Sequence, residues 1–182
     1  MQLGKVIIVC GRICSGKSIV ANTISKDFQY SKISFGDFIR AQAIDRKLDH
    51  TRASYQNLGQ KLLSELGAQE LTLSAIGFAR PKSLDRLVFE GVRNLDVLNV
   101  IRNMAAKVTV IYLDVEEALR YERFLSRDSG SCSLQEFRTY DSQPIESGVD
   151  KLAESADYVI RSGELQNNAE LKKTLSSIVS KA

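Results

Sequence analysis

Eight consecutive residues, Gly11-Arg-Ile-Cys-Ser-Gly16-Lys17-Ser18, satisfy every fixed position of the pattern G-x-x-x-x-G-K-[ST]. Glycines let backbone bend around phosphate oxygens without Cβ clashes, and the amides of the turn and of the helix that follows supply donors and partial positive charge. Lys17 adds a full charge at the β- and γ-phosphates, and the Ser18 hydroxyl suits Mg²⁺. The expected ATP contacts are Gly11, Arg12, Ile13, Cys14, Ser15, Gly16, Lys17, Ser18 and Ile19. The context agrees. Val6–Val9 is a short β-branched run fit for a strand buried on both faces, and Lys17–Lys26 holds neither proline nor glycine, so a helix can start there.

A phosphate-binding turn does not by itself choose a reaction, and the remaining residues narrow the choice. No N-K-x-D and no D-x-x-G occurs, which disfavours a GTPase. Motors and AAA-type ATPases usually need a longer chain and a second acid beside the one ending the next strand. Here Leu87-Val-Phe89 runs into Glu90-Gly91, with no acid adjacent. A small-molecule kinase fits the length. Phosphoryl transfer spreads negative charge over the moving group, so it asks for convergent cations. Arg40 follows the Ser31–Phe35 strand candidate and Arg93 follows Leu87–Phe89, both at the carboxyl edge of a sheet. Arg120, Arg123 and Arg127 recur at i, i+3 and i+7, one face of a helix over Val115–Arg127.

The elements that must position these groups alternate in period. Strand-like runs at Val6–Val9, Ser31–Phe35, Leu87–Phe89, Val108–Leu113 and Tyr158–Ile160 are separated by helical spacing. Tyr55, Leu58, Leu62, Leu63 and Leu66 share one helix face, with Thr51 as cap and Gly67 as stop. A helix is expected around Leu95–Met104, and Leu171, Leu175, Ile178 and Val179 form a closing amphipathic helix. From Asp128 to Gly148 the pattern fails, leaving a short helical candidate at Leu134–Phe137 and a lid over about 128–148. Such alternation predicts a doubly wound, parallel five-stranded α/β sheet with helices on both faces and a short lid.

The 182 residues predict one domain over 1–182, with an acceptor-binding region over about 36–80. A net charge of +3 tolerates phosphorylated ligands, but no concentrated basic patch points to nucleic acid. Three cysteines without a CxxC pair predict neither a disulfide framework nor a zinc ribbon. The apolar run before the turn is too short for a leader or a membrane span, so a cytoplasmic location is expected. Oligomeric state stays open between monomer and homodimer. Lys47–Arg52, with Gln56 and Gln60, belongs with the acceptor region, and His50 is expected at the surface.

Together these motifs resemble the nucleoside monophosphate kinase branch of P-loop kinases, and within it the dephospho-CoA-kinase-like enzymes. Ser34-Phe-Gly-Asp-Phe-Ile-Arg40 looks like the family's acceptor motif, and Glu90-Gly-Val-Arg93 like its Asp-Gly-x-(Pro)-Arg segment. Arg120-Tyr-Glu-Arg123-Phe-Leu-Ser-Arg127 is similar to the basic helix entering the lid, and Ala156-Asp-Tyr-Val-Ile160 with Gly163-Glu-Leu165 to a stretch near the family's end. The resemblance implies that Gly36, Asp37, Arg40, Gly91 and Arg93 bind the acceptor, and that Glu90 supports Mg²⁺ beside Ser18. It implies that Lys17, Arg93, Arg123, Arg127 and Asp37 serve catalysis, with Arg120 on the ATP side. The chain departs from the family where Phe35 replaces the usual threonine and where Val97 stands in the region of a base-reading glutamine. The expected reaction is transfer of the γ-phosphoryl group of ATP to a small nucleotide, foremost a (deoxy)nucleoside monophosphate. Transfer to a sugar hydroxyl, as in dephospho-CoA kinase, is one alternative, with Asp37 as base. A non-catalytic ATP-binding regulator is the other.

Overall fold

The structure, a computed structural model, describes residues 1–127, 132–162 and 167–182, without the side chains of Arg127 and Ser147. Five strands, β1 (Leu3–Gly11), β2 (Ser31–Ser34), β3 (Arg86–Glu90), β4 (Ala105–Asp114) and β5 (Tyr158–Arg161), lie in the order β2-β3-β1-β4-β5. Every pairing is parallel, with Val9 beside Glu90 on one flank and beside Ile111 on the other. All five strands expected from the sequence are present, so the doubly wound α/β reading holds.

Strand residues alternate between two cores, as the pleat requires. Val6, Ile8 and Cys10 join Ile33, Phe89 and Val110 under helices α2 (Phe35–Asp45), α3 (Arg52–Ala79), α4 (Leu95–Met104) and α7 (Pro144–Glu154). Ile7 and Val9 join Val88, Ile111 and Ile160 under α1 (Lys17–Phe28) and the closing helix α8 (Asn168–Lys181). A sheet clad on both faces has only its strand ends open, which puts the ligand crevice at the carboxyl edge. Helices α5 (Glu117–Arg127) and α6 (Leu134–Asp141) stand above that edge. Between them Ile13, Phe124 and Phe137 make a third, small core.

Three differences from the sequence reading bear on the site. Strand β2 stops at Ser34, whose hydroxyl accepts from the Asp37 amide and caps α2, so Phe35 opens a helix instead of closing a strand. Gly67, at φ 75°, ψ 168°, ends the first arm of α3 as expected, but a second arm continues directly to Ala79. The stretch expected to be a short irregular lid is largely helical: a Ser133–Glu136 capping box starts α6, and Pro144 occupies the first turn of α7. The candidate at Leu134–Phe137 falls in α6, as expected, whereas the polar composition of the rest conceals how far α6 extends and all of α7. Residues 128–131 of the expected lid, and Gly163–Leu165 of the terminal resemblance, lie outside the described residues.

Candidate active site

The turn between β1 and α1 has the backbone its sequence demands. Gly11 (φ 146°) could not carry a side chain, since a Cβ would meet the Leu113 carbonyl and Ser15 Oγ at 2.8 Å each. Gly16 (φ 97°) is the N-cap of α1 and offers no side-chain partner, so the first amides of that helix stay open to a ligand. Lys17 folds back over the turn, donating from Nζ to the carbonyls of Gly11 (2.8 Å) and Arg12 (2.7 Å), with Ser15 Oγ at 3.5 Å. Burial, and then the charge of Arg93, lowers its ammonium to about 7. Arg93 follows β3, the parallel neighbour of β1, so it leaves the sheet at the same edge as the turn. Ser18 and Ile19 are exposed at the helix start, whereas Ile13 and Ser15 are buried beneath the turn.

Arg123 of the α5 stripe reaches the turn, donating from Nη1 to the carbonyls of Cys14 (3.4 Å) and Ser15 (3.3 Å). Two expected ATP contacts are placed elsewhere. Arg120 is buried, forked onto Asp141 (2.7 and 3.0 Å) with Nε on the Val115 carbonyl and Nη1 3.4 Å from that of Ile13. Arg12 turns away from the mouth to Asp141 (3.0 Å) and Asp150 (2.6 and 3.1 Å). Both arginines brace the turn against α6 and α7, and Asp141 is the shared acceptor that the sequence reading missed. Asp141→Ala should destabilise folding by about 3–5 kcal/mol, because two guanidinium groups lose a desolvated partner. Urea unfolding reads that loss, and a change below about 1 kcal/mol would reduce the bridge to an exposed ion pair. The side chain of Arg127 lies outside the described residues.

On the other side of β3 a cavity of about 960 Å³ opens between α2, α3, the β3–α4 connection and α6. Arg40, Arg52 and Arg93 bring positive charge to it, and Phe35, Tyr55, Phe124 and Tyr140 supply aromatic wall. Gly36 and Gly91 (φ 81°) line the same space, so four of the five expected acceptor residues meet there. The fifth, Asp37, pairs with Arg40 at 2.5 Å. Burial opposes its ionisation, but the bonds from Arg40 and Ser34 prevail and hold its carboxyl below the ordinary range. His50 is exposed, as expected, and sits at the rim of the cavity bonded to the Tyr55 hydroxyl (3.1 Å), while Val97 lines the interior. Gln56 lines it as well, whereas Gln60 is exposed.

Two carboxylates complete the geometry. Glu90, at the end of β3, is buried with Lys32 3.5 Å from one oxygen, and its Oε2 takes no hydrogen bond. Glu146 of α7 is fully buried and forms an ion pair with Arg93. Glu146 was absent from the sequence reading, since its helix was. The signal available was the acid in the first turn after Pro144, a favoured place next to a helix N-terminus.

A family model described as an AAA domain matches residues 11–139, more than half the chain. The chain belongs to this AAA domain family. Its label names the class that length and the lone acid at Glu90 had set aside, so that exclusion does not hold at the level of the family. The UPF0200 protein TK1334 of Thermococcus kodakarensis is 27% identical over 97% of this chain and 99% of its own. The UPF0200 protein PAE1629 of Pyrobaculum aerophilum is 24% identical over 96% of each. Among solved structures, the shikimate kinase of Bacteroides thetaiotaomicron superposes with a TM-score of 0.58, at 13% identity and over 98% of this chain and 99% of its own. TT1252 of Thermus thermophilus reaches 0.62, at 18% identity over 100% and 98%. At such identities the likeness shows the fold: this member of the AAA domain family has a P-loop kinase fold, as the sequence motifs implied. No helix among the described residues is long and apolar enough to cross a membrane.

Proposed function

We propose that the protein is a Mg²⁺- and ATP-dependent kinase that transfers the γ-phosphoryl group to a small nucleotide, foremost a (deoxy)nucleoside monophosphate. The observation that carries this reading is the two-ended geometry. A turn built for a triphosphate and the connection that carries Arg93 leave neighbouring parallel strands at one edge, and Arg93 lines a separate cavity together with Arg40 and aromatic wall. A mere ATP binder needs no such second chamber. In the proposed reaction Lys17 leaves its carbonyl partners for phosphate oxygens, and the open amides of α1 hold the same oxygens. Arg40 and Arg93 orient the acceptor phosphate in line, and Arg123, already over the turn, spreads the charge of the moving group. An acceptor phosphate is nucleophilic without a base.

The residues also fit the metal. Ser18 is exposed at the helix start, and the orphaned, buried Glu90 Oε2 is an acceptor suited to an ion's water shell. Bound there, Mg²⁺ would neutralise charge between the β- and γ-phosphates.

The second reading is transfer to a hydroxyl, as in the dephospho-CoA-kinase-like branch. In its favour, Asp37 stands at the start of α2 between the cavity residues Gly36 and Arg40, where a base would be wanted. Against it, the pairing with Arg40 lowers the basicity such a step requires. A coupled assay of ADP release with a panel of (d)NMPs and dephospho-CoA decides. The expected result is turnover with a monophosphate; turnover with dephospho-CoA alone transfers the role of base to Asp37. Tight ATP binding without turnover on any acceptor supports the regulator.

Lys17 makes ATP binding pH-dependent. In the free protein its charge is lost as pH rises through about 7, whereas a bound triphosphate favours the charged form. Binding at pH 8 should therefore take up most of one proton, and affinity should fall by up to about tenfold per pH unit above 7. Calorimetry in buffers of different ionisation enthalpy measures the uptake, and binding with no proton exchange contradicts it.

A further inference from the structure

The fully buried Glu146 has no place in the reaction as described so far, yet it touches the residue on which the acceptor end depends. Its carboxylate pairs with Arg93, whose side chain remains 24% exposed to the cavity. Its Oε1 also accepts a hydrogen bond from Gln56 Nε2 (3.1 Å), and the same Nε2 donates to the Tyr140 carbonyl (3.1 Å). Both partners of that amide are acceptors, so its orientation is fixed. Glu146 thus joins Arg93 at one end of the chamber to Gln56 and Tyr140 in its wall.

The backbone shows that this contact is built into the packing. Gly148, one half-turn on along α7, lies against the Arg93 main chain so closely that a Cβ would meet its carbonyl oxygen at 2.2 Å. Helix α7 therefore rests on Arg93 twice, through the bare backbone of Gly148 and through the side chain of Glu146. An arginine side chain has four rotatable torsions, and fixing them costs rotamer entropy. A desolvated carboxylate behind it removes that freedom before the acceptor arrives.

We propose that Glu146 is the positioning residue for Arg93, setting the guanidinium toward the phosphate of the acceptor and linking its placement to the Gln56–Tyr140 wall. This deepens the kinase reading and rests on it for the identity of the acceptor. Glu146 does not touch the reacting atoms. Its carboxylate offsets the buried charge of Arg93 and presents the remaining donors to the cavity.

Glu146→Gln keeps the shape and removes the charge; Glu146→Asp keeps the charge on a shorter arm; Gly148→Ala keeps Glu146 and displaces the helix. With the acceptor that wild-type protein uses, Glu146→Gln should raise KM about tenfold or more and lower kcat, leaving the Kd for MgATP within about twofold. Glu146→Asp should restore most of the loss, and Gly148→Ala should reproduce it. Unchanged acceptor kinetics in folded Glu146→Gln would overturn the proposal. So would a gain in kcat/KM, which would make Glu146 a latch that withholds Arg93. A loss that follows melting temperature equally in all three variants would make it structural only. If wild-type protein uses no acceptor, the kinase reading fails on its own, and binding of inorganic phosphate tests the positioning role. Titration of wild type, Glu146→Gln and Arg93→Ala, the last giving the part of binding that does not need Arg93, should show Arg93-dependent binding weakened several-fold in Glu146→Gln. Equal binding in wild type and Glu146→Gln, or no Arg93-dependent part at all, overturns the inference.

Discussion

Replacement of Lys17 by alanine should lower the rate of phosphoryl transfer by about 10³-fold or more, the scale expected when a preorganised charge at the moving group is lost. Lys17 is the cation of the turn itself, and the geometry that reserves it is explicit. Its Nζ is held at hydrogen-bond distance by two carbonyls of its own turn, directly beside the open amides of α1. Arg123 reaches the same turn only at 3.3–3.4 Å and already donates to the carbonyls of Cys14 and Ser15, so it does not substitute. Because Lys17 also satisfies the carbonyls of Gly11 and Arg12, melting temperature must be measured alongside. A stable variant that keeps near-normal turnover would refute the assignment of the turn.

Arg93→Ala should be nearly as severe on the acceptor side, with kcat/KM for the acceptor reduced about 10²–10³-fold and the Kd for MgATP changed by no more than about twofold. Deleting the guanidinium also strands the carboxylate of Glu146 in the interior, at a folding cost of about 3–5 kcal/mol. Arg93→Lys separates the two effects: it retains a charge for Glu146 but loses the fork that grips a phosphate in two places. Initial-rate kinetics with both substrates varied, together with equilibrium ATP binding, give the answer. Loss of ATP binding in Arg93→Lys would place this arginine on the donor side.

What the sequence made legible follows from how local each feature is. The phosphate turn depends on eight neighbouring residues and two glycine conformations, so the residues themselves announce it. Four of the five strands carry a short apolar run with no competing helical period. Arg40 and Arg93 were legible because each follows a strand at the edge where a parallel sheet gathers its ligands. The positions of Arg12 and Arg120 were not, because their partner Asp141 lies far along the chain, past the Leu134–Phe137 stretch that marks its helix. Glu146 was invisible because its helix, short and largely polar, carries no clear period. Residue type suggested that every arginine near a triphosphate would hold phosphate; packing assigns two of them to Asp141 instead.

The bend at Gly67 has a bearing on the size of molecule the protein accepts. Leu63 and Leu71 stand on opposite sides of it yet border one chamber, although eight residues of straight helix would separate them by about 12 Å. A methyl group at Gly67 would touch nothing within 4 Å among the described residues, so alanine there is opposed by the backbone itself, whose φ 75°, ψ 168° lies in a region kept essentially for glycine, at about 1–3 kcal/mol. The dimensions of the receiving compartment are thus written in a single pair of backbone angles.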